Sequence, residues 1–411
     1  MNVLYFHQYF TTPTYAGGIR SYEMARRLIE RGHNVTMVCG GDKLFKEDDA
    51  IQRNRISRGI IDGIDVIQIN LPYSNSDGVL KRSITFVKFV LFSIKYVFTE
   101  KYDVLFSTST PLTAGIPGIV AKIFRKKPFV FEVRDLWPEL PKALGLKNPF
   151  LLWGMSVLEK VTYSKADACI GLSPGICDGI RKRSPINRKI ALIPNGCDID
   201  IFKPGKRADL VLDGIKPSDF VVVFTGAHGI ANGLDAVLDA AKELKKINRN
   251  DIVIVFIGEG KMKKHLIDRV KNEQLVNCRF YDPIPKKQLS DIVSCVDAGL
   301  MVLANIPAFY YGTSPNKFFD YISSGIPVIN NYPGWLADLI KENNCGVVSM
   351  PDNPIDLANS IISLADSKEL CKQMGNNARA LALKQFNRQD LSNQFVDFLE
   401  SVVFQYKCNN K

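Results

Sequence analysis

Short apolar runs alternate with amphipathic stretches along nearly the whole chain. Val3 to Phe6 reads as a strand. Ile19 to Arg31 places apolar or small residues at Tyr22, Ala25 and Leu28, the spacing of one helix face. Gly32 and His33 then lead into a second strand, Val35 to Cys39. Strand, loop, helix, strand is a βαβ unit. The alternation continues through Val104–Phe106, Phe129–Phe131, Ala168–Gly171 and Ile190–Ile193.

A second series follows, with strands at Val221–Phe224, Ile252–Ile257, Arg279–Tyr281, Ala298–Val302 and Pro327–Ile329. The spacing predicts helices near 233–247, 260–272, 286–294, 315–324 and 334–342. Two consecutive βα series predict an α/β protein with two Rossmann-like, doubly wound parallel-sheet domains facing a cleft. The seam is expected near Ile201–Lys206, where Pro204 and Gly205 punctuate a polar stretch. The expected domains are 1–200 and 201–388. A helix and tail, 389–411, either stays on the second domain or crosses back. In this fold class ligands bind beyond the carboxyl ends of the strands, which directs attention to the strand-to-helix loops.

The 411 residues are 46% apolar and 23% charged, which excludes a disordered chain, a collagen and a coiled coil. The net charge of +11 is uneven. Residues 1–200 hold 28 Lys and Arg against 19 Asp and Glu, whereas residues 201–411 hold 25 against 23. The first half is thus suited to an anionic partner. An aromatic-interleaved basic strip is missing, so nucleic acid is not expected. Nine scattered cysteines without a C-x-x-C pair fit a reducing compartment and argue against structural zinc. The N-terminus does not read as a signal peptide, and no apolar run reaches eighteen residues. A cytoplasmic protein is expected.

Several loops carry candidate chemistry. Gly17-Gly18 closes the first strand-to-helix loop, where backbone can approach an anion closely. Arg134, Asp135 and Glu139 follow a buried-looking strand directly. They are candidates for the cleft or for a structural ion pair. Gly226, His228, Gly229 and Gly233 crowd the second domain's first loop. His228 reads either as a cleft residue or as an ordinary loop histidine. Gly258-Glu259-Gly260 opens a further loop, and Lys261, Lys263 and Lys264 after it read as a solvated helix face. Pro315 at a helix start leaves the next amides free for phosphate oxygens. Asn316 and Lys317 follow, and Asp320, one turn on, could accept from a ribose hydroxyl. Asp198-Ile199-Asp200 looks like a D-x-D metal signature, but it lies in the interdomain connection and is discounted. No metal site is expected.

Residues 79–98, VLKRSITFVKFVLFSIKYVF, place Lys81, Lys88 and Lys95 seven apart on an otherwise apolar helix. Such a helix can lie in a membrane interface with its lysines toward anionic lipid. The plainer reading is a helix packed on the first sheet with the lysines outermost. Arg125-Lys126-Lys127 extends the same basic character.

With these motifs assembled, the chain resembles the family-four retaining glycosyltransferases of GT-B fold, over almost its whole length. His7-Gln8-Tyr9-Phe10 with Gly17-Gly18 resembles the family's first loop. Asn195-Gly196-Cys197-Asp198, followed by Phe202 and Pro204, resembles its N-G-x-D connector. Gly258-Glu259-Gly260 resembles its G-x-G loop, and Lys317 to Val328 its donor-site helix. Arg134-Asp135-Leu136-Trp137-Pro138-Glu139 is similar to the subgroup that builds bacterial surface polysaccharides such as O-antigen and capsule. Four positions depart from the family pattern. Gly312 stands at the first of two acidic positions, Ala227 and Asn232 replace an Arg and a Lys, and Arg134 replaces a His.

The resemblance implies transfer of a sugar, an N-acetylated amino sugar among the donors considered, from a nucleotide diphosphate to a polyprenyl-diphosphate-linked saccharide. Anomeric configuration would be retained without a metal or other cofactor. Lys317, Asn316 and the Gly17-Gly18 loop would meet the leaving diphosphate, with Gly226, Gly258, Glu259, Pro315 and Asp320 completing the donor site. Arg134, Asp135 and His228 would face the transferred sugar or the acceptor. Lys81, Lys88, Lys95 and Glu139 would serve the lipid-linked acceptor at the anionic inner face of the plasma membrane. A nucleotide-sugar epimerase on the same fold and an inactive membrane-associated scaffold are the alternatives.

Overall fold

The computed structural model describes residues 1–15, 17–41, 44–45, 51–53, 55–72 and 79–409. Residues 410 and 411 of the expected tail lie outside the described residues. The chain forms two compact units. The first comprises Met1–Thr12, Gly17–Pro194 and Gln389–Lys411, and the second Pro13–Ala16 and Asn195–Arg388. The Asn195–Asp198 connector therefore belongs to the second unit.

Among the described residues the first unit is built on nine strands: β1 (Asn2–Phe6), β2 (Asn34–Gly41), β3 (Ile51–Arg53), β4 (Ile56–Ile61), β5 (Ile64–Asn70), β6 (Val104–Thr108), β7 (Phe129–Val133), β8 (Ala168–Gly171) and β9 (Lys189–Leu192). Their order is β3-β4-β5-β2-β1-β6-β7-β8-β9. From β5 to β9 every pairing is parallel, whereas β3–β4 and β4–β5 are antiparallel. The alternation of long βα units does not reveal β3, β4 and β5. A local signal does: Asp62 and Gly63, both at positive φ, form the two-residue turn between β4 and β5.

Strand pleat divides the first core into two layers. Val3, Tyr5, Met37 and Phe106 point to one face, where they meet Met24 and Leu28 of the helix Arg20–Glu30. The final helix, Arg388–Asn409, adds Leu391, Phe395 and Leu399 to the same layer, so the chain crosses back to its first unit. Leu4, Phe6, Val38 and Leu105 point to the opposite face. There they meet Phe89, Ala121 and Tyr163 from the helices Val79–Ser93, Ile116–Phe124 and Pro149–Lys165. The predicted 79–98 helix ends at Ser93, and a separate short helix follows at Tyr96–Thr99.

The second unit has six strands, β10 (Phe220–Thr225), β11 (Ile252–Ile257), β12 (Cys278–Tyr281), β13 (Ala298–Met301), β14 (Val328–Asn330) and β15 (Gly346–Val348). All are parallel, in the order β12-β11-β10-β13-β14-β15. β11, IVIVFI, is buried along its whole length, as a central strand covered on both faces must be. Each such buried aliphatic or Phe side chain contributes about 2 kcal/mol. Chain order reverses between β10 and β13, and this switch point is where an open α/β sheet leaves a crevice for a ligand.

Candidate functional site

The second unit's site grows from the carboxyl ends of β10 and β13. After β10 the backbone turns at Gly226 (φ 119°), and after β11 at Gly258 (φ 153°). A Cβ on Gly258 would stand 1.9 Å from the Gly226 carbonyl oxygen, so this glycine lets two loops pack together. Gly260 is needed for the same reason against the His228 carbonyl. Loop packing thus requires both glycines of the G-x-G loop. Gly226 itself faces only the end of the Lys317 side chain.

Lys317 lies in the first turn of the helix Asn316–Ser324, directly after Pro315. Tyr321 fixes the helix under the sheet, because its hydroxyl accepts from the Thr225 amide (2.9 Å). Gly299 on β13 leaves room for that ring, which a Cβ would meet at 2.4 Å. Asn195 holds the preceding loop, its side-chain amide donating to the Ser314 carbonyl (2.6 Å) and its backbone N–H to the Ser314 hydroxyl (3.1 Å). Trp335 donates to the Thr313 carbonyl (2.7 Å). Gly325, left-handed at φ 70°, ends the helix.

So held, the Lys317 ammonium sits 3.7 Å above the Phe224 ring and donates to Asn232 Oδ1 (3.1 Å). Asn232 in turn donates to the Ala227 carbonyl (2.7 Å). Desolvation pushes the Lys317 pKa down to about 7. No carboxylate pairs with this ammonium among the described residues. Lys317 belongs to the first turn of its helix, where a helix leaves amides without intrahelical acceptors. A cation without a carboxylate partner, helix amides and an open glycine are the groups an anion receptor uses.

Asp320, one turn on, is half-buried and makes no hydrogen bond among the described residues. Burial raises its pKa to about 7, with Asp198 adding to the rise and Lys286 and Arg388 opposing it. Asp198 pairs with both Lys286 and Arg388, and Arg388 also donates to the Gly196 carbonyl (2.6 Å). Burial would raise the Asp198 pKa, but these two cations hold it below the usual carboxylate value. The D-x-D carboxylate is therefore a structural ion pair. Among the described residues no group of three His, Cys, Asp or Glu side chains comes together as a metal site.

Two further expectations for this unit are corrected. His228 is not open to a cleft: its ring is 0% exposed, caged by Phe224, Phe256 and Phe280, with neither nitrogen hydrogen-bonded among the described residues. Burial, with Lys263 and Lys317 nearby, pushes its pKa down to about 4. Lys263 is not on a solvated face but is buried, donating to Glu259 (3.2 Å) and Asp282 (2.6 Å). Glu259 is exposed, and its carboxylate also caps the Gly260 amide (3.0 Å).

In the first unit, Arg20 and Glu132 form a buried pair at 2.8 Å that the sequence reading did not single out. Arg20 also donates to the Pro194 and Ile193 carbonyls, and Glu132 accepts from Thr108 (2.8 Å). Arg134 joins this network rather than projecting freely, donating to Thr108 and Ser21 (both 2.8 Å) and to Glu132 (3.3 Å). Burial would raise the Glu132 pKa, but Arg20 and Arg134 keep it below the ordinary value. Asp135 accepts from Thr110 (2.9 Å), and burial raises its pKa. Gly17 (φ 145°) precedes the helix carrying Arg20, with Gly18 next in the chain. Glu139 is engaged by Arg183, which also binds the buried Glu159, so it is the structural ion pair of the two readings.

Lys81, Lys88 and Lys95 are exposed, but Lys95 lies beyond the end of the helix that carries the other two. Ile84, Val87 and Leu91 are exposed beside them, while Phe89, Val90 and Ser93 face the core. The apolar surface of this helix is wider than the sheet covers. Among the described residues no helix is long and apolar enough to cross a membrane.

Comparison with known proteins agrees with this architecture. Residues 17–201 match the glycosyltransferase family 4 domain and residues 212–381 the glycosyl transferases group 1 domain. An uncharacterized glycosyltransferase of Methanocaldococcus jannaschii is 23% identical over 39% of this chain and 43% of its own length. The chain spans about half the length, or less, of the curated relatives it matches. Sucrose-phosphate synthase from Thermosynechococcus elongatus superimposes with a TM-score of 0.77 at 18% identity, covering 98% of both chains. Anabaena HepE in complex with UDP-glucose gives 0.71 at 17% identity, covering 98% of this chain and 100% of that one. The fold is GT-B.

Proposed function

We propose that this protein is a retaining glycosyltransferase that takes a sugar from a nucleoside-diphosphate donor and passes it to a polyprenyl-diphosphate-linked saccharide in surface polysaccharide synthesis. The Lys317 ammonium carries the reading. It stands at the β10/β13 switch point, without a carboxylate partner, beside a helix N-terminus. In transfer, the bond from the anomeric carbon to the diphosphate breaks and negative charge grows on the leaving oxygen. Fixed cations and N–H donors stabilise that charge without reorganising. Asp320 would hold the ribose, and the two domain matches and the UDP-glucose complex of a protein with the same fold support a nucleotide-sugar donor. We take Lys317 and the first-turn amides to do this work without a metal.

The polyprenyl-linked acceptor and the inner face of the membrane rest on the excess charge of the first half and on the exposed Lys81, Lys88 and Lys95 beside Ile84, Val87 and Leu91. The test is a transfer assay without added metal, with radiolabelled nucleotide sugars and a membrane extract as acceptor. Label is expected in the lipid fraction with one donor, with the donor's anomeric configuration in the product. Release of free altered nucleotide sugar would identify an epimerase, and failure with every donor would leave an inactive scaffold.

A further inference from the structure

The helix Pro149–Lys165 presents to solvent a stripe that the candidate site does not use. Phe150 is 82% exposed and Trp153 69% exposed, and Val157 and Val161 continue the same face at helical spacing. Its opposite face is committed to the fold. Thr162 and Tyr163 are fully buried, and Glu159 is buried against Tyr163 (2.9 Å) and Arg183. The stripe is therefore not a core face turned outward by accident of register. It is additional apolar surface on a helix whose packing is complete.

This helix does not stand alone. The helix Ile116–Phe124 packs against both it and the helix Val79–Ser93, and a Cβ on Gly115, just before that middle helix, would meet the Thr162 side chain at 2.6 Å. All three cover the same face of the first sheet through Tyr163, Ala121 and Phe89. Their outward sides consequently belong to one surface, which also exposes Phe124 and Leu91. Its charge is mostly of one sign, the acid beside it, Asp167, being paired with Lys122 at 2.6 Å. Residues 79–98 and 116–127 contain no Asp or Glu, and the single acid of 149–165 is the buried Glu159. Lys88, Arg125, Lys126 and Lys160 are exposed on these segments.

We infer that this helical layer is a bilayer-docking surface for anionic lipid, with Phe150 and Trp153 as its apolar anchors. A protein partner would be expected to meet some acidic residues of its own kind here, whereas an anionic bilayer asks for apolar side chains among cations and none of the opposite charge. Trp suits the depth where hydrocarbon meets headgroup. Amphipathic helices lie in that plane with their apolar side inserted. The inference deepens the membrane-borne acceptor proposed above and rests on it. It moves the hydrophobic part of the contact from residues 79–98 to Phe150 and Trp153.

The experiment is co-sedimentation of the full chain with phosphatidylcholine vesicles, with and without phosphatidylglycerol, for the wild type, F150S, W153S and the control F404S. Phe404 is equally exposed but lies on the final helix, which covers the other face of the sheet. The wild type and F404S are expected to bind only the anionic vesicles. F150S and W153S should each lose about tenfold in partitioning, the loss of one buried large apolar side chain. Their melting midpoints should not change. Equal binding by all four proteins, or no binding by the wild type, would overturn the inference. So would a lipid-free wild-type dimer that W153S dissociates, since the occupant would then be a second copy. A melting-midpoint rise with nucleoside diphosphate, measured in the same samples, reports the donor site separately.

Discussion

Lys317 donates to Asn232 across 3.1 Å, so a neutral side chain orients the ammonium of the candidate site. The pair gives the proposed diphosphate site one oriented lysine. Replacing Asn232 by Ala removes one hydrogen bond to a charged group, worth about 1.5–3 kcal/mol. Nucleoside diphosphate affinity should fall about tenfold, measured by calorimetry, with little change in melting midpoint. Asn232→Asp should weaken binding further, because its carboxylate would neutralise the ammonium that the phosphate needs.

Lys317 itself makes the affinity depend on pH. Its pKa, lowered to about 7 by desolvation, leaves the free protein only partly charged at neutral pH. A bound diphosphate favours the ammonium, so binding takes up a proton. Affinity should fall as pH rises from about 6.5 to 9, and Lys317→Arg should flatten that dependence. Calorimetry in two buffers of different ionisation enthalpy reads the proton uptake directly.

Asp320 makes stability depend on pH. Its folded pKa, about 7, is raised above the unfolded value by burial. The folded state therefore binds the extra proton between about pH 4 and 7, and this group's contribution to stability falls as pH rises through that window. Asp320→Asn should raise the melting midpoint at pH 8 and leave it nearly unchanged at pH 4. The same variant should bind nucleoside diphosphate more weakly if Asp320 holds the ribose.

The layout of the two sheets was legible because long βα units announce themselves by period, and β10, β11 and β13 follow that pattern. Strands β3, β4 and β5 escaped because they are hairpin-linked, and only Asp62-Gly63 betrays them. Lys317 could be found because its helix start is a local motif. The partners that position it could not: Tyr321 and Thr225 are 96 residues apart, and Asn195 and Ser314 are 119 apart. His228 shows the reverse failure. A histidine among loop glycines looks catalytic in sequence, yet Phe224, Phe256 and Phe280, brought together only by the fold, enclose it.

The Arg20–Glu132 pair was equally invisible, lying 112 residues apart at the carboxyl ends of the first sheet's strands. Removing one partner of a buried pair leaves an uncompensated charge and costs about 3–5 kcal/mol. Glu132→Ala should lower the melting midpoint of the whole protein by several degrees or prevent folding. Arg134→Ala, at a partly exposed position of the same network, should cost less stability.

The central claim is that Lys317 receives the diphosphate of a nucleotide. The most direct measurement is the melting midpoint of the wild type and of Lys317→Met against a panel of nucleoside diphosphates, without added metal. The wild type should gain stability with one of them, by mass action on the folded state, and Lys317→Met should keep its own midpoint but lose the gain. Equal gains in both proteins, or none in a folded wild type, would contradict the claim.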